Sequence, residues 1–184
     1  MKNKTSVILL FIFLFSSSLT LFSQANDWEF PVIKGNGRVR RLPDAAVQPD
    51  KSLQYKVLFG IIHPSEKPEQ LSIGLDHVAR FINLLGTNNL NSSNYKIAVI
   101  VGGPAAPLVM DNENYKARFG VDNPNTDLIK TLKDNGVEIF VCGQSLGDFD
   151  VKQETVDKNV TTALSFMVVS TTYQLKGYAS LLVF

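Results

Sequence analysis

The chain has a single cysteine, Cys142, among 184 residues. It can form no intrachain disulfide, so its stability must come from an ordinary core. Histidine is nearly as scarce, at His63 and His77. One thiol and two scattered imidazoles give a dedicated zinc or copper site little support, and no cofactor is expected. No excess charge of either sign is present, with 18 basic and 17 acidic residues. Without Lys2 and Lys4 the count is 16 against 17, a net charge of about −1. That leaves no electrostatic ground for nucleic acid or an anionic membrane surface as partner. The P-loop lysine pattern and the dinucleotide G-x-G-x-x-G pattern are absent. A serine hydrolase built on a nucleophile elbow is not expected either.

Long apolar runs are confined to the start of the chain. Lys2 and Lys4 precede Ser6 to Phe22, which is almost wholly apolar or small. Ser23-Gln24-Ala25 then offers small residues around a cleavage point. Residues 1–25 read as a secretory signal peptide. An uncleaved anchor is the rival reading, since the run approaches ~20 apolar residues. Positions 20–26 hold no cysteine for lipid attachment. The mature chain is expected to be exported, periplasmic or secreted, with no membrane contact after cleavage.

Residues 26–53 read as an N-terminal extension. Trp28 and Phe30 are costly to leave in water, so the arm should pack on the body or on a neighbouring subunit. Residues 54–184 then alternate between strand and helix patterns. Tyr55–Ile62 and Tyr95–Val101 read as buried strands. Leu71, Leu75, Val78, Ile82 and Leu85 form a helical stripe that Gly86 should end. Asp76 and Arg80 are spaced for a surface ion pair, worth ~0.3–0.5 kcal/mol. Ala105–Met110 and Glu113–Phe119 suggest short helical turns. Asn125 or Thr126 should cap a helix with Leu128, Ile129 and Leu132 inward, ended by Asn135-Gly136. A strand ending at Cys142 follows, then a loop over 143–152, a short strand at 160–164, a helix at 167–174 and a last strand at 178–183. The pattern predicts an α/β three-layer sandwich: a mostly parallel sheet of about five strands flanked by helices.

The chemistry concentrates at the strand ends. Cys142 closes the run Val137-Glu138-Ile139-Phe140-Val141 and is followed by Gly143-Gln144-Ser145. That places one thiol at the C-terminal tip of a strand, where α/β sheets keep their sites. A helix turn near Ser145 would favour a thiolate, whereas Asp148 and Asp150 would oppose one. Buried filler is the alternative. His63 follows the first strand and lies at the same edge, so a Cys142–His63 pair for nucleophilic catalysis is conceivable. His77 reads as a surface residue. Gly102-Gly103-Pro104 is either an anion cradle or a tight turn. Asn91-Ser92-Ser93 and Asn159-Val160-Thr161 match the glycosylation pattern.

Taken in order, these pieces resemble the DsrE/DsrF-like family of small sulfur-relay proteins. The carrying segments are Tyr55–Phe59, Val78–Asn83, Lys96–Val101 with Gly103-Pro104-Ala105, Asn125–Ile129, Gly136–Ser145 and Gln174–Ala179. Gly35-x-Gly37 and Leu42-Pro43-Asp44-Ala45 look like the arms of exported members. The resemblance implies a homo-oligomer, trimer or hexamer. It also implies a persulfide carried on Cys142, with Gly103, Gly143, Gln144 and His63 around it. A sulfur donor or acceptor protein, or a small sulfur species, would be the partner. Many members carry His-Gly where this chain has Gly102-Gly103. The alternative is a non-catalytic oligomeric module that binds a small ligand or a protein.

Overall fold

The computed structural model describes residues 27–183. The signal-peptide reading falls outside them. Five strands form one parallel sheet: β1 (Tyr55–Ile61), β2 (Tyr95–Val101), β3 (Glu138–Cys142), β4 (Thr161–Ala163) and β5 (Ala179–Val183). Their spatial order is β4-β3-β2-β1-β5, and every pairing is parallel. β1 and β2 are buried on both faces, which is why they read as continuous apolar runs.

The helices are α1 (Ile73–Gly86), α2 (Asn112–Phe119), α3 (Thr126–Asp134), α4 (Gly143–Asp148) and α5 (Phe166–Leu175). A 3-10 stretch, Gly103–Val109, follows β2. One face of the sheet carries the larger core. There Val57, Phe59 and Ile61 of β1 and Ile97, Val99 and Val101 of β2 meet Leu75, Val78 and Ile82 of α1 and Leu128, Ile129 and Leu132 of α3. The other face is smaller. There Leu58, Ala98, Ile100 and Cys142 meet Val169, Tyr173 and the half-buried Phe166 of α5, with Phe140, Ala163 and Tyr178 packed beside them. The alternation along each strand thus sends odd-numbered residues of β1 to one layer and even-numbered ones to the other.

Three local expectations are corrected. Residues 143–152 are not a loop throughout, because α4 begins directly after Cys142. Two glycines in six residues hide that helix from propensity. Burial of Ser145 and Leu146 holds it in place. Gly86 does not end α1 by a left-handed turn. It is the helix's last residue, and a Cβ there would meet Val32 Cγ2 at 2.6 Å. Asn125 sits at the α3 N-cap position, but its side chain makes no capping bond. Its Oδ1 instead accepts from the Ser72 N–H at 2.8 Å, and its Nδ2 donates to Asn123 Oδ1 at 2.9 Å.

The arm packs on α1 of its own chain. Ile33 is fully buried and Val39 nearly so. Glu29 and Val39 exchange two backbone hydrogen bonds, folding the arm back on itself. Gly37, at φ +65°, lies so close to α1 that a Cβ would stand 2.2 Å from the Arg80 nitrogen. Its N–H donates to Asp76 Oδ1 at 2.6 Å. Asp76 also makes the expected ion pair with Arg80, at 3.3 Å.

Candidate functional site

The parallel sheet brings the C-terminal ends of β1, β2 and β3 to one edge. Cys142 ends β3 there, with its sulfur under the sheet face that α5 covers. The residue is only 4% exposed. Burial is the largest influence on its thiol and pushes the pKa up. Hydrogen bonds more than offset that: the Ser145 side chain, then the backbone N–H groups of Ser145, Phe166 and Gln144. The net result lies below the ordinary thiol value, so the thiolate fraction at neutral pH is raised. The Ser145 N–H stands 3.4 Å from Sγ. No lysine, arginine or histidine acts on the sulfur, and neither Asp148 nor Asp150 does.

α4 supplies three of these four because it starts where β3 stops. Phe166 arrives from the other side, as the first residue of α5. Its ring fills space left by two glycines. A Cβ on Gly60 would stand 2.8 Å from the ring, and one on Gly102 2.9 Å from it. The Gly102 Cβ would also come within 3.4 Å of Cys142 Cβ. The absence of a side chain at 102 therefore makes room for both the aromatic ring and the cysteine.

The other predicted residues fall into place around this centre in different ways. Gly103, at φ +55°, donates its N–H to Ser145 Oγ at 2.7 Å. The Gly102 N–H donates to the Ile61 carbonyl at 2.9 Å. Both amides are thus committed within the protein, so the turn is not an open anion cradle. Gly143 packs against the end of β4, where a Cβ would meet the Ala163 carbonyl at 2.9 Å. The Gln144 amide donates to the Leu164 carbonyl at 3.1 Å and ties α4 to the segment before α5. His63 is exposed just past β1 and is not among the groups acting on the sulfur. A cleft of about 370 Å³ at this edge is lined by Pro64, Pro104, Pro107, Arg118 and Phe149, among others, but not by Cys142, His63 or Gly103. Among the described residues no group of three or more His, Cys, Asp or Glu is placed to hold a metal.

Ser145 and Phe166 are the site residues that sequence reasoning missed. Gly143-Gln144-Ser145-Leu146-Gly147 does in fact spell G-x-S-x-G, the pattern of a nucleophile elbow. The structure removes that reading. Ser145 lies inside α4 without a positive φ, is buried, and has its oxygen bonded to Gly103. A true elbow presents a strained, exposed serine. The pattern was nonetheless a signal that the strand runs straight into a helix here. Phe166 had a weaker signal, an aromatic residue directly after the capping serine Ser165.

No curated protein matches the chain. Among solved structures, a protein of unknown function from Methanobacterium thermoautotrophicum, MTH1491, superposes with a TM-score of 0.54 at 16% identity. The match covers 70% of this chain and 99% of that one. It is a likeness of fold. The DsrE/DsrF-like family model matches residues 56–183, from the first strand through the last. The chain belongs to the DsrE/DsrF-like family.

Proposed function

We propose that Cys142 is a sulfur carrier that accepts, holds and passes on one sulfane sulfur. The observation that carries this reading is a buried sulfur at the tip of β3 that accepts the Ser145 N–H at 3.4 Å and whose pKa hydrogen bonding draws below the ordinary thiol value. Such a setting favours an anionic sulfur without pairing it to a fixed charge. The Cys142 thiolate attacks the outer sulfur of a donor R–S–SH. The donor S–S bond breaks, a new S–S bond forms as Cys142–S–SH, and R–S⁻ leaves. An acceptor thiolate then takes the outer sulfur and restores Cys142–S⁻. The two transfers are redox-neutral, so no oxidant or cofactor is required.

The apolar leader supports export of the mature protein to the periplasm or beyond. The uncharged outer face of α5 supports a homo-oligomer. A second reading, a non-catalytic binding module, is favoured by the near-complete burial of Cys142 and by the committed amides of Gly102 and Gly103.

One experiment separates the two. The protein is taken from the cell envelope, treated with polysulfide, and its intact mass is read under non-reducing conditions. A carrier gains ~32 Da on Cys142, and Cys142→Ser gains none. An unmodified protein beside a modified control persulfide protein leaves the binding module. The same spectrum reads the N-terminus. A mass starting near Asn26 supports export, and a retained residue 1 overturns it.

A further inference from the structure

We propose that the arm and α1 form a binding site for a free single-chain fatty carboxylate: its tail lies in the apolar cavity between residues 42–49 and α1, and its head meets Arg40 beside Trp28. The site is separate from Cys142 and does not rest on the carrier reading.

The cavity measures about 340 Å³. Tyr55, Phe81 and the buried Leu85 form its floor. Phe81 packs edge-on against both Tyr55 and Phe59, with ring centroids 6.3 and 5.5 Å apart, so that floor is fixed. Leu42, Val47 and Leu84 stand at the rim and are 64%, 89% and 43% exposed. Three large apolar side chains left in water around one cavity mark a place where an apolar group is seated.

The loop over the cavity holds its arch without filling the space beneath. Gln48 Nε2 donates to the carbonyls of Leu42 and Ala45, at 2.8 and 3.0 Å, and its Oε1 accepts from Asn88 at 3.3 Å. The Asp50 N–H donates to the Tyr55 hydroxyl at 2.7 Å, and Arg41 donates to the Thr87 carbonyl at 2.6 Å. The Thr87 hydroxyl donates to the Leu84 carbonyl at 2.7 Å. Gln48 and Thr87 line the cavity, yet both side chains are committed within the protein. Arg40 is the charged residue of the lining among the described residues.

Charge decides what kind of apolar molecule fits. Arg38 and Arg40 flank Val39, whose backbone pairs with Glu29, so both lie on one side of the arm. Each guanidinium stands 4.5 Å from the centre of the Trp28 ring. Glu29 is turned to Arg41, at 3.3 Å. Two like charges on one indole repel each other, and an anion relieves that repulsion. A guanidinium carries five N–H donors in a planar fork that matches a carboxylate. A cationic amphiphile would be repelled here, and a neutral one would find no match for the charge. At roughly 30 Å³ for each water-sized group, the cavity holds a tail of about ten carbons.

Trp28 is the only tryptophan in the chain, so its fluorescence reads the head-group end directly. The protein isolated from the cell envelope is titrated, below micelle concentrations, with hexanoate, octanoate, decanoate, dodecanoate and decanol. We expect a saturable change in Trp28 emission that tightens about four-fold per methylene up to decanoate and is flat from there to dodecanoate. Decanol should bind about five-fold more weakly than decanoate, and Arg40→Gln should bring decanoate down to the decanol value. Leu84→Asp and Val47→Asp should each weaken decanoate by about ten-fold. Val47 is so exposed that its variant keeps the fold even where Leu84→Asp does not. The absence of a saturable change overturns the proposal. So does tightening that continues past decanoate, which is unspecific partition, and so do equal affinities for decanoate and decanol. Binding to phosphatidylglycerol vesicles without binding to free decanoate would overturn it in favour of a membrane surface. None of these readings involves Cys142, so sulfur uptake stands or falls separately.

Discussion

Asn83 shows what one buried polar residue decides here. It is fully buried on α1, and its amide is saturated by the arm. Oδ1 accepts from the N–H groups of Val32 and Ile33, at 2.9 and 2.8 Å. Nδ2 donates to the carbonyls of Ile33, Asn36 and Gly37, at 3.1, 2.9 and 2.9 Å. Asn83→Ala removes all of these at once and leaves buried backbone groups unpaired. The expected loss is about 3 kcal/mol, from two or three groups left unsatisfied. Urea unfolding measures it, and a change below about 0.5 kcal/mol would show that the arm does not depend on this amide. Sequence pattern could not reveal that role, because Asn83 sits within the helical stripe beside Ile82 and looks like an interruption of it. Cys142 was legible by contrast, since a thiol at the end of a five-residue apolar run has a definite address in an α/β sheet. Its surroundings were less so, because Ser145, three residues on, sits in a helix the glycines hide, and Phe166 comes from α5, beyond β4.

At the level of elements, the strands, the longer helices and the short turns near 105–110 and 113–119 were readable from the sequence, and α4 was not. β1, β2, α1 and α3 carry unbroken apolar patterns and lie within a residue or two of their expected bounds. α4 does not, because Gly143 and Gly147 argue locally against a helix. The 3-10 stretch at Gly103–Val109 holds two prolines and lies where a short helical turn was expected at Ala105–Met110. The segment from β4 into α5 is the element that bears most on the site. Ser165 caps α5 by accepting from the Val168 N–H at 3.1 Å, and Phe166 follows with its ring over Gly102. Ser165→Ala should cost about 1 kcal/mol. Where that cost falls on local opening of the strap, Cys142 should alkylate about five-fold faster under native conditions. Ser165→Thr should restore the slow rate. Equal rates in wild type and Ser165→Ala would mean that the strap is not what shields the thiol.

For the whole molecule, the two faces of the sheet are covered unequally. One face lies under α1 and α3 and holds the larger core. Among the described residues the other has α5 as its one helix, and β5 is the edge strand beside it. α5 carries no charged residue along its ten positions. Met167 is 76% exposed and Leu175 85%, with Leu164, Val168 and Leu182 exposed around them. A helix that met only water would carry charge on its outer side, and an apolar surface of this kind marks an interaction site. Because the proposed oligomer would use this face, substitutions can be chosen that a monomer tolerates. Met167→Asp puts an acid in the first turn of α5, and Leu175→Lys puts a base at its end. Both favour the helix dipole and should leave a lone subunit no less stable. In an assembly, each would bury an unpaired charge against apolar neighbours. The double variant should therefore sediment as a monomer, with an unfolding midpoint that no longer depends on protein concentration. Wild type should sediment as a larger species whose midpoint rises with concentration. A wild type that is already monomeric at micromolar concentration would refute self-association through α5. It would also leave the buried sulfur of Cys142 to work from a single subunit.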